Sequence, residues 1–164
     1  MEFSETELAE RTGRILLRNG RFLSTAESCT GGLIGSILTS VPGSSLWYRG
    51  GVIAYSNAFK TDVLGGPSSL IESNGAVSRE VVLAMADGMN KLAGTDISIS
   101  VSGVAGPGGG TVEKPAGTVW MAVCGWKFSF SEMKKFTGER NMVRKKAADY
   151  LLTKLYSLLE KGEN

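Results

Sequence analysis

Phe22-Leu23-Ser24-Thr25-Ala26-Glu27-Ser28-Cys29-Thr30-Gly31-Gly32-Leu33-Ile34 is the stretch on which the fold turns. Phe22 and Leu23 open a short strand, and Leu33, Ile34, Ile37 and Leu38 recur at helical spacing until Pro42-Gly43, which makes a strand-turn-helix unit. The octapeptide Thr25 to Gly32 gathers hydroxyls, a thiol, a carboxylate and paired glycines at that junction, where backbone amides and a nucleophile can converge. The chain contains no histidine. A Ser-His-Asp triad, a Cys-His dyad and a histidine-rich zinc site are therefore excluded, and chemistry at Ser28 or Cys29 needs lysine, tyrosine or a carboxylate instead.

Working outward, Ser4 with Glu7 suits a capping box, and Leu8, Ile15 and Leu16 supply the apolar stripe of a first helix over roughly 5 to 19. Gly51 to Tyr55 reads as a second strand, followed by a capped helix carrying Phe59, Val63 and Leu64. Pro67 opens a short helix through about Glu72, and Ser78 caps a longer one with Val81, Val82, Met85, Ala86 and Met89 on its buried side. Asp96 to Ser102 alternates strictly and is the clearest strand signal. A glycine-rich loop, Gly103 to Gly110, leads to two hairpin-linked strands, Gly117 to Val123 and Lys127 to Phe130, around Gly125-Trp126. A last helix over about 139 to 160 places Val143, Ala147, Leu151, Leu155 and Leu158 on one face. This order predicts an α/β fold: a three-layer helix-sheet-helix domain with a mixed sheet of about five strands, spanning 1–164 as one domain.

A chain of 164 residues with 42% hydrophobic content is sized for one core. Its net charge of +2 is too small to imply a nucleic-acid footprint. Cys29 and Cys124 make neither a disulfide framework nor a zinc spacing, so both read as reduced thiols and no metal or cofactor is expected. The acidic, polar start Met1 to Glu5 differs from a signal peptide, and no run approaches a membrane span. The expectation is a cytoplasmic protein with no nucleic-acid or membrane partner.

The candidate site residues each carry a structural reading beside the chemical one. Ser28 suits a helix cap as well as a nucleophile, and Glu27 suits a helix start as well as a ligand contact. Cys29, with no histidine to activate it, reads as a buried thiol. Thr30, Gly31 and Gly32 offer amides for an anion or a developing oxyanion, although close helix packing accounts for the same glycines. Lys60, with Asn57 as N-cap, falls in the first helical turn, where the positive end of the dipole disfavours a cation. A base poised near pH 7 to 8 needs its pKa lowered by about 3 from about 10.4, roughly 4 kcal/mol, and burial must supply what the dipole does not. Tyr55 stands at the same junction. The Gly103–Gly110 loop lacks both the dinucleotide and the P-loop order of residues. Ser131-Glu132-Met133-Lys134 matches S-x-x-K without its companion motifs and is set aside. Arg140, Arg144, Lys145 and Lys146 suit a solvated face, although Arg140 follows a Thr137-Gly138 turn from which it can reach an anion.

Taken together, Thr25–Gly32, Gly43-Ser-Ser45 with Trp47, Tyr55-Ser-Asn57 with Lys60, Gly75–Ser78, Ser102–Pro107, Lys114–Trp120 and Thr137-Gly-Glu-Arg140 resemble the CinA C-terminal domain family, including its stand-alone nicotinamide mononucleotide amidase members. The resemblance covers nearly the whole chain. It implies hydrolysis of the carboxamide of nicotinamide mononucleotide to nicotinic acid mononucleotide and ammonia, without metal, in pyridine nucleotide recycling. Residue by residue, it implies Ser28 as nucleophile, Lys60 as base, Tyr55 as auxiliary and Arg140 as supporting arginine. Glu27, Thr30, Gly31, Gly32, Gly103, Ala105 and Gly106 are expected to border the substrate. Self-association is implied too, with Trp47 or Trp126 as contact candidates. Gly108 stands where the family often has an acidic residue, and Glu139 where it often has aspartate. A catalytically silent nucleotide-binding domain and an amidase for another small amide are the alternatives.

Overall fold

A computed structural model describes residues 3–163; Met1, Glu2 and Asn164 of the expected 1–164 domain, and with them part of the start read against a signal peptide, lie outside the described residues. The elements run α1 (Glu5–Arg18), β1 (Leu23–Glu27), α2 (Leu33–Thr39), a 3-10 turn (Ser44–Leu46), β2 (Tyr48–Ile53), α3 (Asn57–Leu64), α4 (Ser68–Asn74), α5 (Arg79–Ala93), β3 (Ile97–Gly103), β4 (Thr118–Gly125), β5 (Phe128–Lys135) and α6 (Arg140–Gly162). The capping box of α1 forms, with Ser4 Oγ accepting from Glu7 N–H and Glu7 Oε2 accepting from Ser4 N–H.

The sheet has the order β2-β1-β3-β4-β5, parallel through β2, β1 and β3 and antiparallel through β4 and β5, which is the mixed five-stranded sheet that the sequence predicts. Leu23, Ile97, Ile99, Val101, Val119, Met121 and Val123 pack with α1, α2 and α6 on one face. Ala26 and Ala122 meet α5 on the other. The alternation in β3 therefore does not separate core from solvent, because Ser98, Ser100 and Ser102 are buried as well. Their hydroxyls donate to the carbonyls of Ala86, Val82 and Ala76, tying α5 and the segment before it to the sheet.

Four local expectations shift. β2 starts at Tyr48, three residues early, because Tyr48 pairs with Leu23 and its hydroxyl meets Thr25 Oγ1 at 2.8 Å; its end at Ile53 leaves Tyr55 in the junction. β5 continues to Lys135, where it pairs with Thr118, so Ser131–Lys134 is an ordinary strand segment. In α6 it is Leu159 rather than Leu158 that is fully buried. Trp47 is only 2% exposed, packed inside the α1/α2/α6 core, and offers no surface for self-association; Trp126 is half-buried beside Phe128.

The seat of Trp47 explains a glycine in the middle of α1. A Cβ built at Gly13 lies 2.5 Å from Trp47 Cε2 and 2.6 Å from its Nε1, too close for a side chain with no room to retreat. Gly to Ala in a helix interior ordinarily stabilises by about 1 kcal/mol. Here overpacking reverses the sign, and Gly13→Ala is expected to destabilise by about 1–3 kcal/mol, read as a lowered urea midpoint at unchanged m.

Candidate active site

The site forms where the parallel strands end. The β1-to-β2 crossover runs through α2 on one face, and the β2-to-β3 crossover runs through α3 to α5 on the other, so the chain leaving β1 borders a crevice. Ser28 extends the β1–β3 ladder by one bond, its N–H donating to Val101 C=O at 3.0 Å, before the chain turns away at Cys29. Residues after β2 contribute Tyr55 and Lys60, and residues after β3 contribute the Gly103–Gly110 loop.

Lys60 Nζ lies 3.0 Å from Ser28 Oγ and 3.2 Å from the Tyr55 carbonyl oxygen. Ser28 is 6% exposed and Lys60 4%. The helix holding the lysine is capped by Ser56, whose Oγ accepts from Phe59 N–H, and not by Asn57; Lys60 thus closes the first turn with its own N–H on the Ser56 carbonyl. Among the described residues no carboxylate pairs with Lys60. Burial lowers the pKa of its ammonium below the ordinary lysine value, with a smaller opposing pull from Cys29. The Cys29 thiol goes the other way, pushed up to about 11 by burial and further by the Glu27 charge, and is held as a neutral thiol near pH 7.

The Ser28–Lys60 pair lines a cavity of about 330 Å³ with Cys29, Tyr55, Asn57, Gly103, Ala105 and Arg140. That volume is at the lower end for small-molecule sites. Arg140 spans the mouth, its Nη1 donating to the Gly106 carbonyl at 2.9 Å and its Nη2 to the Tyr55 hydroxyl at 3.0 Å. Tyr55 therefore meets Lys60 through its backbone carbonyl, while its exposed ring is tied to Arg140; the expected help from the phenol to the pair is not in place.

The remaining expected contacts divide. Gly103 and Ala105 border the cavity, and Gly106 is engaged by Arg140. Glu27 does not reach the cavity. It is 2% exposed, with Oε2 accepting from Thr30 Oγ1 and the N–H groups of Gly32 and Ile34, and Oε1 accepting from Gly35 N–H. It acts as an N-terminal anchor for α2 from outside the helix, in line with the dipole. Thr30, Gly31 and Gly32 also stand back from the cavity wall: Gly32 N–H serves Glu27 and Gly31 N–H serves the Ser28 carbonyl. Both glycines have positive φ, +60° and +97°, which lets the chain double back onto that carboxylate. Asn57, Ser102 and Val104 border the cavity as well, although the motifs that contain them assigned them no role there. Arg144, grouped by sequence with a solvated face, folds onto the Ser28 turn; the visible signal was its spacing of four from Arg140, one helical turn on the same face. Among the described residues there is no cluster of metal-ligating side chains and no helix long and apolar enough to cross a membrane.

The family model for the CinA C-terminal domain matches residues 5–159. A CinA-like protein of Parasynechococcus marenigrum is 57% identical over 122 residues, 74% of this chain and 29% of the relative. The chain thus spans under a third of that longer protein's length. The nicotinamide-nucleotide amidohydrolase PncC of Pseudomonas putida is 46% identical over 157 residues, covering 96% of both chains. A crystal structure of a competence-damaged protein (CinA) superfamily member from Klebsiella pneumoniae superposes with TM-score 0.92 at 35% identity, covering 97% of this chain and 99% of that one.

The buried, unpaired lysine has a stability consequence. Its pKa is lower folded than unfolded, so between those two values the unfolded chain binds more protons and stability rises with pH; below the folded pKa the full cost is present. Lys60→Met, which keeps the stem and removes the charge, is expected to raise Tm at pH 7 by about 2–4 °C for each kcal/mol recovered, with the gain shrinking towards pH 10. Thermal melts of both forms at pH 7 and pH 10 check this.

Proposed function

We propose that this chain, which belongs to the CinA C-terminal domain family, is an amidohydrolase that converts nicotinamide mononucleotide to nicotinic acid mononucleotide and ammonia with a serine nucleophile and a lysine base. The observation that carries the reading is the 3.0 Å approach of Lys60 Nζ to Ser28 Oγ on the wall of a cavity, in a chain with no histidine. The relative from Pseudomonas putida, matched end to end, bears the name of this activity.

In this reading neutral Lys60 accepts the Ser28 hydroxyl proton as Oγ attacks the carboxamide carbon. The carbonyl π electrons move onto oxygen, where backbone N–H groups of the surrounding turns meet the developing charge. The Lys60 ammonium returns its proton to the departing nitrogen, the C–N bond breaks, and ammonia leaves a Ser28 ester. Lys60 then deprotonates a water that attacks the ester carbon, and the same proton restores the Ser28 hydroxyl. The Tyr55 carbonyl orients the lysine between these transfers. Arg140 positions Tyr55 and the Gly106 carbonyl and presents a cationic fork at the mouth, suited to the anionic end of a nucleotide. The cytoplasmic setting, the recycling role and the self-association belong to the same proposal.

Ammonia release from nicotinamide mononucleotide tests it. Ser28→Ala is expected to lower kcat on the order of 10⁴-fold or more, Lys60→Ala by about 10²–10⁴-fold, and the double variant no further than Ser28→Ala. Full activity in Ser28→Ala would remove the nucleophile, and activity confined to other small amides would reassign the substrate. Because burial lowers the Lys60 pKa and the deprotonated form is the base, kcat/KM should climb as pH rises through that lowered pKa and level off below about 10.4. A rate indifferent to pH from 6 to 9 at a chemistry-limited step contradicts the base assignment.

A further inference from the structure

Arg144 makes a pattern of contacts that neither helix packing nor substrate binding requires. From the first turns of α6 its Nε donates to the Cys29 carbonyl at 3.0 Å and its Nη2 to the Thr30 carbonyl at 3.1 Å, while Nη1 donates to Asn141 Oδ1 at 3.0 Å. All three nitrogens of the guanidinium are thereby engaged by protein, and Arg144 does not border the cavity that Arg140 faces. It is unavailable to a ligand.

What Arg144 fixes is the orientation of the 29–30 and 30–31 peptide planes, which begin one residue after Ser28. In a trans peptide the C=O and the following N–H point in opposite directions, so drawing the Cys29 carbonyl towards α6 turns the Thr30 N–H away from α6. Every other donor of the turn is assigned: Ser28 N–H to Val101, Gly31 N–H to the Ser28 carbonyl, and Gly32, Ile34 and Gly35 N–H to Glu27. Among the described residues no other residue accepts from the N–H of Cys29 or Thr30. Both residues are buried, Cys29 at 5% exposure and Thr30 at 0%, where a polar N–H without a partner is costly and rare.

We infer that Arg144 is a positioning residue that, by holding the Cys29 and Thr30 carbonyls, fixes the turn so that the N–H of Cys29, the residue of the turn that borders the cavity beside Ser28, receives the oxyanion formed when Ser28 attacks. The inference rests on the reading of Ser28 as nucleophile. A donor on the residue following the nucleophile is where other serine hydrolases place one, and a guanidinium that fixes the Cys29 carbonyl holds the residue that carries that donor. Gly31 fits the arrangement: a Cβ there would stand 3.1 Å from Arg144 Nη2, so a side chain would crowd the arginine off its carbonyls.

The test is steady-state hydrolysis of nicotinamide mononucleotide by the full chain carrying Arg144→Ala or Arg144→Lys, with and without millimolar guanidinium. Arg144→Ala is expected to lower kcat about 10²-fold, the loss seen when one oxyanion donor is removed, with KM within about threefold and the midpoint of the pH profile unmoved. Added guanidinium should restore about tenfold or more of the loss, which a globally damaged fold would not allow. Arg144→Lys keeps the charge but has no planar fork to span two carbonyls, and should lose about tenfold; it decides by the same criteria if the alanine variant does not fold. An unchanged kcat, a loss confined to KM, or a loss explained by a shifted pH midpoint overturns the inference while the proposed function stands. A wild-type chain without this activity removes the proposed function, and the inference falls with it.

Discussion

A lysine buried without a counter-ion is the constraint on which the site depends. Lys60 is 4% exposed, and among the described residues its side-chain nitrogen has a serine hydroxyl and a peptide carbonyl as its partners. Burial penalises the cation and stabilises the neutral amine, and a neutral amine is the form that accepts a proton. A carboxylate beside it would restore the cation and defeat that arrangement. The one carboxylate near the turn, Glu27, is kept from this role because four donors at the start of α2 already hold it.

Opposite charges hold the nucleophile turn from two sides. Glu27 collects N–H groups of the turn and of α2, and Arg144 collects two carbonyls from α6. Between them the path from β1 to α2 is specified over the five residues Ser28–Gly32, of which Gly31 and Gly32 adopt left-handed backbone. Arg140, one helical turn before Arg144, performs the corresponding task at the mouth by joining the Tyr55 hydroxyl to the Gly106 carbonyl. A single helix thus braces the three strand ends that build the cavity, although it contributes only Arg140 to the cavity's lining.

Much of this was legible in the sequence because local rules and tertiary packing agree. The capping box at Ser4, the buried face of α5 and the strand-turn-helix unit at Ser28 each follow from neighbouring residues alone. The octapeptide, Tyr55 and Lys60 were identifiable as two strand-to-helix junctions, and parallel pairing of β1 with β2 brings such junctions side by side. What stayed hidden depends on where side chains point. Glu27 reads equally as an anchor or a ligand contact until its four donors are seen, and Tyr55 shows its carbonyl to Lys60 only because β2 ends two residues before it. Trp47 has the composition of an interface residue, and only the gap left by Gly13 reveals it as core.

Burial weakens the hold of Lys60 on its proton, and its nitrogen lies 3.0 Å from the Ser28 hydroxyl whose proton the neutral amine would take. The most direct measurement is the pH titration of the Lys60 side chain by nuclear magnetic resonance, following its ε-carbon and ζ-nitrogen shifts with Lys60→Arg providing the assignment. The expected midpoint lies below the ordinary lysine value of about 10.4, with the ζ-nitrogen shift perturbed when Ser28 is replaced by alanine. A Lys60 that titrates at about 10.4 and is indifferent to Ser28 would contradict it.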